Sequence, residues 1–366
     1  MDKIKKYIEA YIPTETCNLR CHYCYIAQQR KFNNKLAKFE YEPEYIAKVL
    51  SKERLGGPCL INLCAGGETL LVQELLPIVK ALLQEGHYVM IVTNGTLSVR
   101  FDEIAKFPRE LLERLFFKFS FHYLELKRIN KLDEFFDNIN KMKQAGASFT
   151  VEVTPNDELI PYIPEIKEIC MEKLGALCHI TIARDDRKKE IPILSKYSFD
   201  EYKKIWGQFD SKLFEYKTTI YYKKRKEFCY GGDWMLCLNL ATGETKQCYC
   251  GTSIQNIYED INEPIKAFSI GNNCPIAHCY NGHSFIPLGC IPELDAPTYA
   301  ELRNRVCLDG TEWLNEKMKS FMNTKLFESN EQYDDKKKKN INSKNIRIIR
   351  YNKVKGKIKR IIRRKK

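Results

Sequence analysis

The stretch Thr16-Cys17-Asn18-Leu19-Arg20-Cys21-His22-Tyr23-Cys24-Tyr25 constrains this chain more than any other. Three cysteines at x3 and x2 spacing, followed at once by an aromatic residue, converge on one point if the chain loops. Thiolates hold four-iron clusters, and an electron-transfer cluster takes four of them. Cys59, the next cysteine, is too far along to belong to the same loop. An iron without a protein ligand is a place for chemistry, just as an open position separates catalytic from structural metal sites. Two further readings of the same residues stand beside this one: a zinc site completed by His22, and small buried apolar side chains.

Composition bears on that choice. The 366 residues suffice for one large or two ordinary domains, and no run of 18 apolar residues suggests a membrane span. The start, Met1-Asp2-Lys3-Ile4-Lys5-Lys6, lacks the apolar stretch of a secretory leader, so a cytoplasmic location is expected. In a reducing compartment the 15 cysteines, an odd number, point to metal rather than disulfides. The net charge of +13 belongs to one end: residues 334–366 carry 16 Lys and Arg against Asp334 and Asp335, leaving the body near neutrality. Without a second basic surface on that body, nucleic acid is an unlikely partner.

From Tyr7 to about Asp210 strand-like and helix-like runs alternate. Strands are expected at Tyr7–Ile12, Cys59–Cys64, Tyr88–Thr93, Phe116–Phe121, Phe149–Thr154 and His179–Ala183. Helices are expected at Glu44–Glu53, Leu70–Gln84, Asp102–Leu112, Leu132–Gln144 and Pro164–Glu172. This order implies an α/β fold with a parallel sheet, and six such units suit a partial (β/α)6, TIM-like barrel open on one side for a bulky substrate. Sites in such barrels gather at the C-terminal ends of strands, where the Cys17–Cys24 loop falls. The expected division is a core barrel over 1–215, a small Cys-rich C-terminal domain over 216–295, a helical segment over 296–333 with one helix at Thr311–Phe327, and a basic tail over 334–366.

The C-x3-C-x2-C-aromatic spacing resembles the signature of radical S-adenosylmethionine (radical SAM) enzymes. The resemblance implies that Cys17, Cys21 and Cys24 bind three irons of a [4Fe–4S] cluster, that SAM chelates the fourth, and that Tyr25 lies near the adenine. Ala65-Gly66-Gly67-Glu68 follows the second strand, where the family uses Gly-Gly-Glu-Pro to bind the methionine amino group; Gly66, Gly67 and Glu68 match, and Thr69 replaces the proline. Asn94, after the third strand, suits a turn at the same mouth. Ser120 stands where relatives place a polar side chain on the SAM ribose, although Ser120-Phe121-His122-Tyr123 departs from their Ser-x-Asp-Gly and leaves His122 open. Glu152, Thr154, Arg184 and Asp185 are expected at the same rim, with Arg184 a SAM contact.

Downstream, Cys229, thirteen residues, Gly243, four residues and Cys248 resemble the opening of the auxiliary-cluster domain called SPASM. Cys237 is a third candidate ligand. The run from Cys274 through Cys279 to His283 resembles that domain's second half imperfectly: Gly271 stands where a Cys is expected, and His283 falls at the final Cys position. One auxiliary [4Fe–4S] cluster, as in the shortened twitch relatives, is implied by Cys229, Cys237 and Cys248 with His283, Cys279 or Cys274; a zinc ribbon is the rival. Cys250 and Cys290 are left over. Cys59, Cys64, Cys170, Cys178 and Cys307 read as core residues, with Cys64 near enough to the SAM site to donate a hydrogen atom.

The resemblance implies an enzyme that reductively cleaves SAM and abstracts hydrogen from a peptide, protein or carbohydrate. It also implies a reductant such as flavodoxin or ferredoxin. The alternative is a non-catalytic iron–sulfur or zinc-binding interaction protein on the same fold, which has no reason to keep a methionine-binding turn in register with the Cys loop. In the tail, Ile346, Ile348, Ile349, Val354, Ile358, Ile361 and Ile362 lie among Lys and Arg, the pattern of a basic helix on the anionic inner face of a membrane; a solvated, disordered extension is the competing reading.

Overall fold

The computed structural model describes the backbone of residues 2–272 and 274–364, and side chains as far as Tyr351. Six parallel strands neighbour one another in chain order: β1 (Lys6–Ile12), β2 (Cys59–Ala65), β3 (Tyr88–Thr93), β4 (Leu115–Ser120), β5 (Ser148–Val153) and β6 (His179–Ile180). Strand side chains alternate between faces. Ile8, Ala10, Ile61 and Leu63 therefore pack outward with Ile46, Val49, Ile78 and Val79 of helices Pro43–Val49 and Leu75–Gln84. Tyr7, Leu60, Tyr88, Met90 and Phe116 face inward and form a second core. Both faces are covered, as parallel sheets require.

β6 is shorter than the expected His179–Ala183. Thr181 still donates to the Val153 carbonyl, but the chain then turns away so that Arg184 can bridge Ile193. Expected helices also break where local chemistry demands. Ser51 accepts from the Arg54 amide and starts a new turn, Lys52–Leu55, and Pro108 separates Ser98–Ile104 from Arg109–Leu112. The helix expected over Thr311–Phe327 is confined to Glu316–Met322, because the Asn315 side chain caps it by accepting from the Met318 amide. Phe321 stacks on Tyr88 with ring centroids 3.6 Å apart, and with Tyr299 and Met318 it fills the N-terminal end of the barrel.

The Cys-rich segment continues the barrel sheet. β7 (Met235–Asn239) pairs parallel with the free edge of β1, and β8 (Glu244–Lys246) and β9 (Ser253–Asn256) follow antiparallel, giving nine strands in the order β6-β5-β4-β3-β2-β1-β7-β8-β9. The register sets Glu9 of β1 between Asn62 on β2 and Cys237 on β7. Gly243 has the positive φ of +83° that the β7–β8 turn needs. Helix Lys212–Ile220 runs across the expected boundary at 215/216.

The basic tail is a helix, Asp335–Arg364. Its beginning docks on the Cys-rich segment: Ile341 is buried, and Asn345 donates to the Ser269 and Ile270 carbonyls at 2.9 and 3.0 Å. Val354, Ile358, Ile361 and Ile362 lie outside the described side chains. Among the described residues no helix is long and apolar enough to cross a membrane.

One buried group gives the fold a measurable acid sensitivity. His87 Nδ1 accepts from the Cys59 amide at 3.1 Å and Nε2 donates to the Leu50 carbonyl at 2.6 Å, an arrangement only the neutral ring can make. Burial holds its pKa down to about 4, against an ordinary value of 6.5. Its contribution is therefore complete above pH 6.5 and is lost as pH falls toward 4, roughly 3 kcal/mol in all. Urea unfolding is expected to show a steeper loss of stability over that window than in His87→Gln; parallel profiles would mean that other groups are responsible.

Candidate functional site

The loops after β1 and β2 meet backbone to backbone. The Gly67 amide donates to the Thr14 carbonyl at 2.7 Å and the Glu68 amide to the Thr16 carbonyl at 2.9 Å. A Cβ on Gly67 would lie 1.9 Å from the Thr16 oxygen, so no other residue permits the approach. The buried Glu68 carboxylate accepts from Thr93 Oγ1 and the Asn94 amide, both at 2.7 Å, and from the Leu70 amide at 3.0 Å. Burial raises its pKa, and these three donors oppose the rise. Glu68 thus ties the β2 loop to the end of β3. Thr69, in place of the proline, donates no turn rigidity; instead its hydroxyl accepts from the Ala65 amide at 3.1 Å and closes off β2.

Asn94, fixed by Glu68, donates to Asn18 Oδ1 at 2.7 Å and reaches Cys17 Sγ at 3.8 Å. The Leu19 amide also points at Cys17 Sγ, at 3.4 Å. Cys17, Cys21 and Cys24 line one cleft together with Gly66, Gly67, Glu68, Asn94, Ser120 and His122. His122 Nδ1 lies 2.8 Å from the Tyr23 hydroxyl. Tyr25 is placed beside the cleft, its hydroxyl within electrostatic reach of Cys64 and Cys24.

Burial pushes the Cys17 thiol up to about 11 and the Cys21 thiol up to about 12, and raises Cys24 as well. Such thiols ionise near neutrality only against a cation, which is what a cluster supplies. Among the described residues no three His, Cys, Asp or Glu side chains are arranged to hold a single metal ion. A four-iron cluster is larger than one ion and keeps its ligands farther apart, so a cleft lined by all three thiols fits the group.

A second gathering of thiols lies in the Cys-rich segment that extends the sheet beyond β1. Cys248 contacts Cys237 and Cys250, Cys250 contacts Cys274, and Cys229 contacts Cys290, while Cys279 lies within electrostatic reach of Cys229, Cys274 and Cys250. Cys250 and Cys290, left over by spacing, thus join the group. Their signal was absent from the sequence because the β7–β9 pairing and the 230–290 contacts bring them in. His283 follows Gly282, whose amide donates to the Cys279 carbonyl; it is buried, and the cations within its reach are Lys217, Lys118 and Arg184. Cys59, Cys170, Cys178 and Cys307 are buried, as expected of core residues.

The interior holds further polar groups. Glu152 is not at the rim; it is buried and ion-paired with Arg303 and with Lys118 at 3.1 Å. Glu9 accepts from the Tyr7 hydroxyl at 2.6 Å and Asn62 at 2.9 Å. Arg184 does reach the rim, where it donates to Asn281 at 2.7 Å and lies over the Tyr280 ring, joining barrel to Cys-rich segment. Lys118 had a readable signal, a lone charge amid Leu115-Phe116-Phe117-Lys118-Phe119. Gly67→Ala is expected to lower stability by about 2 kcal/mol or more in urea unfolding, because backbone must move. Gly207→Ala, with nothing within 4 Å of the new carbon, is the matched control and should not destabilise.

Residues 11–165 match the family model described as the Radical SAM superfamily. Two 7-carboxy-7-deazaguanine synthases are similar over shorter stretches. That of Aquifex aeolicus is 34% identical over 97 residues, covering 26% of this chain and 40% of the relative. That of Thermoplasma acidophilum is 30% identical over 90 residues, covering 25% and 39%. The chain thus spans about two-fifths of the length of these curated relatives. Among solved structures, Streptococcus suis SuiB bound to S-adenosylmethionine superposes with a TM-score of 0.50 at 13% identity, over 72% of this chain and 67% of that one. The structure titled anSMEcpe with bound AdoMet gives a TM-score of 0.51 at 15% identity, over 71% and 77%. These likenesses are of fold. Residues 11–165, which hold the Cys17–Cys24 loop and the Gly66–Glu68 turn, thus make up a radical SAM domain.

Proposed function

We propose that this protein is a radical SAM enzyme that abstracts hydrogen from a peptide, protein or carbohydrate substrate. The observation that carries the reading is the cleft at the strand ends, where Cys17, Cys21 and Cys24 meet Gly66, Gly67 and the Glu68-anchored Asn94. When bound, the family's [4Fe–4S] cluster and SAM supply reductive SAM cleavage and a hydrogen-abstracting 5′-deoxyadenosyl radical. The three cysteines hold the cluster, and the open backbone at Gly66 and Gly67 takes the methionine end of SAM. Ser120 serves the ribose, Tyr25 the adenine side, and Arg184 the rim. Glu68 acts as a positioning residue, since its oxygens already hold Thr93, Asn94 and Leu70.

The gathered thiols Cys229, Cys237, Cys248, Cys274 and Cys279, joined by Cys250 and Cys290, are assigned to at least one auxiliary cluster. Cys237 lies opposite Glu9 on the barrel strand, so electrons leaving a substrate in the interior have a short path to it. That placement favours a net oxidation, with flavodoxin or ferredoxin as the outside reductant. SuiB, one of the proteins of like fold, has a structure bound to its precursor peptide SuiA, which supports the peptide branch of the proposal. The 335–364 helix is assigned to the anionic inner face of a membrane, where each basic residue contributes about 1 kcal/mol within a Debye length.

Two experiments test this. Anaerobically reconstituted protein should cleave SAM when reduced and should lose about four irons per chain, with all 5′-deoxyadenosine formation, when Cys17, Cys21 and Cys24 are replaced by Ala; residual iron of about four or more then belongs to the auxiliary site. Unchanged turnover, or stoichiometric zinc in place of residual iron, would contradict the assignment. For the tail, a chain ending at Tyr351 keeps Ile341 and Asn345 docked yet loses the last run of charge. It should no longer sediment with anionic liposomes, and salt should release the full-length protein. Equal pelleting of both chains would remove the membrane proposal.

A further inference from the structure

The barrel interior carries more positive charge than its carboxylates neutralise. Glu152 is shared between Arg303 and Lys118, and Glu9 is engaged by Tyr7 and Asn62. Lys217, on helix Lys212–Ile220, is 3% exposed. Its Nζ donates to Thr181 Oγ1 at 2.5 Å, and among the described residues it has no carboxylate partner. The charged groups within its reach are Arg184 and Lys118, both cations. A buried ammonium without a counter-charge is costly to fold, and two of its three N–H donors remain for another acceptor. A second orphan stands in the same place: His283 Nδ1 is buried without a partner, in the field of these same three cations.

The position is as specific as the charge. Lys118 projects from the inner face of β4, near Cys64 and Glu9, below the strand-end cleft. Arg184 lies at the mouth, tied to Asn281 and paired with Asp186 at 3.6 Å. Lys217, on the helix that packs against the turn Gly282–Ser284, is within electrostatic reach of both.

We infer that Lys217, Lys118 and Arg184 form a binding site for an oxyanion of the substrate, a carboxylate or a phosphate. The inference rests on the reading that the interior is the substrate chamber of the proposed enzyme, and it narrows that substrate to an anionic one. Burial, with Arg184 and Lys118 adding to it, holds the Lys217 pKa well below the ordinary lysine value, and an arriving anion would reverse that penalty. The substrate C–H is then placed by a charge clamp on one side and the SAM cleft on the other.

The test uses full-length, anaerobically reconstituted protein with SAM, and reads the thermal midpoint at constant ionic strength set with chloride. Inorganic pyrophosphate and glutarate are the probes. One of them should raise the midpoint by roughly 2 °C or more near saturation. A pyrophosphate-only response assigns a phosphorylated substrate, and a glutarate-only response a carboxylate. Lys217→Met and Lys118→Met should each abolish the rise, and Lys217→Arg should keep it. If Lys217→Met fails to fold, Lys118→Met decides. No response to either anion, or a response that survives in the Met variants and so belongs to the basic tail, overturns the inference. SAM cleavage by the unaltered protein is measured in parallel: its absence would count against the proposed enzyme, whereas a missing anion response counts against this site alone.

Discussion

The site depends on one close backbone contact. Gly66 and Gly67 let the β2 loop lie against Thr14 and Thr16, the residues that lead into the cysteine loop. Glu68 then carries that constraint sideways into β3 through Thr93 and Asn94, and Asn94 returns it to Asn18 and Cys17. Three loops from three adjacent strands are thereby held by groups that are all hydrogen-bonded and mostly buried. This is a rigid support of the kind a precise site needs, because the cysteine loop has little regular structure of its own beyond Tyr25–Gln28.

β1 plays a second organising part. It is bonded on one edge to β2 and on the other to β7, so the strand that feeds the cysteine loop is interior to the sheet rather than at its border. The same strand brings Glu9 face to face with Cys237. Barrel and Cys-rich segment are therefore joined through main-chain hydrogen bonds, and Arg184 with Asn281 adds a side-chain link at the mouth. Such a junction fixes the distance between the two sets of thiols, which a flexible linker would not.

The interior is divided by height. At the N-terminal end of the strands Tyr7, Tyr88, Phe116, Tyr299 and Phe321 make a dry floor. Above it Glu9, Asn62, Lys118, Glu152 and Arg303 form a polar layer, and above that stand the cysteines and Gly66–Glu68. Burying charge in the middle layer is unfavourable unless it is paired or used. Glu152 and Arg303 are paired; Lys217 is not.

The sequence by itself determined the barrel strands, most of their helices, the Cys17–Cys24 loop and the Gly66–Glu68 turn. These are local signals: period-two and period-3.6 patterns, cysteine spacing within one loop, and paired glycines after a strand. It also placed the β7–β8 turn at Gly243. What only the tertiary structure decided were relations between residues far apart in the chain. The pairing of β7 with β1, the convergence of Cys250 and Cys290 on the other thiols, the nearness of His283 to three cations, and the retreat of Glu152 into an ion pair with Arg303 are of this kind. None leaves a periodic trace, because each is set by which strand edge is free and which buried charge finds a partner. The docking of Ile341 and Asn345 belongs with them: charge marked that helix as a tail, and the Ser269 and Ile270 carbonyls anchored it to the body.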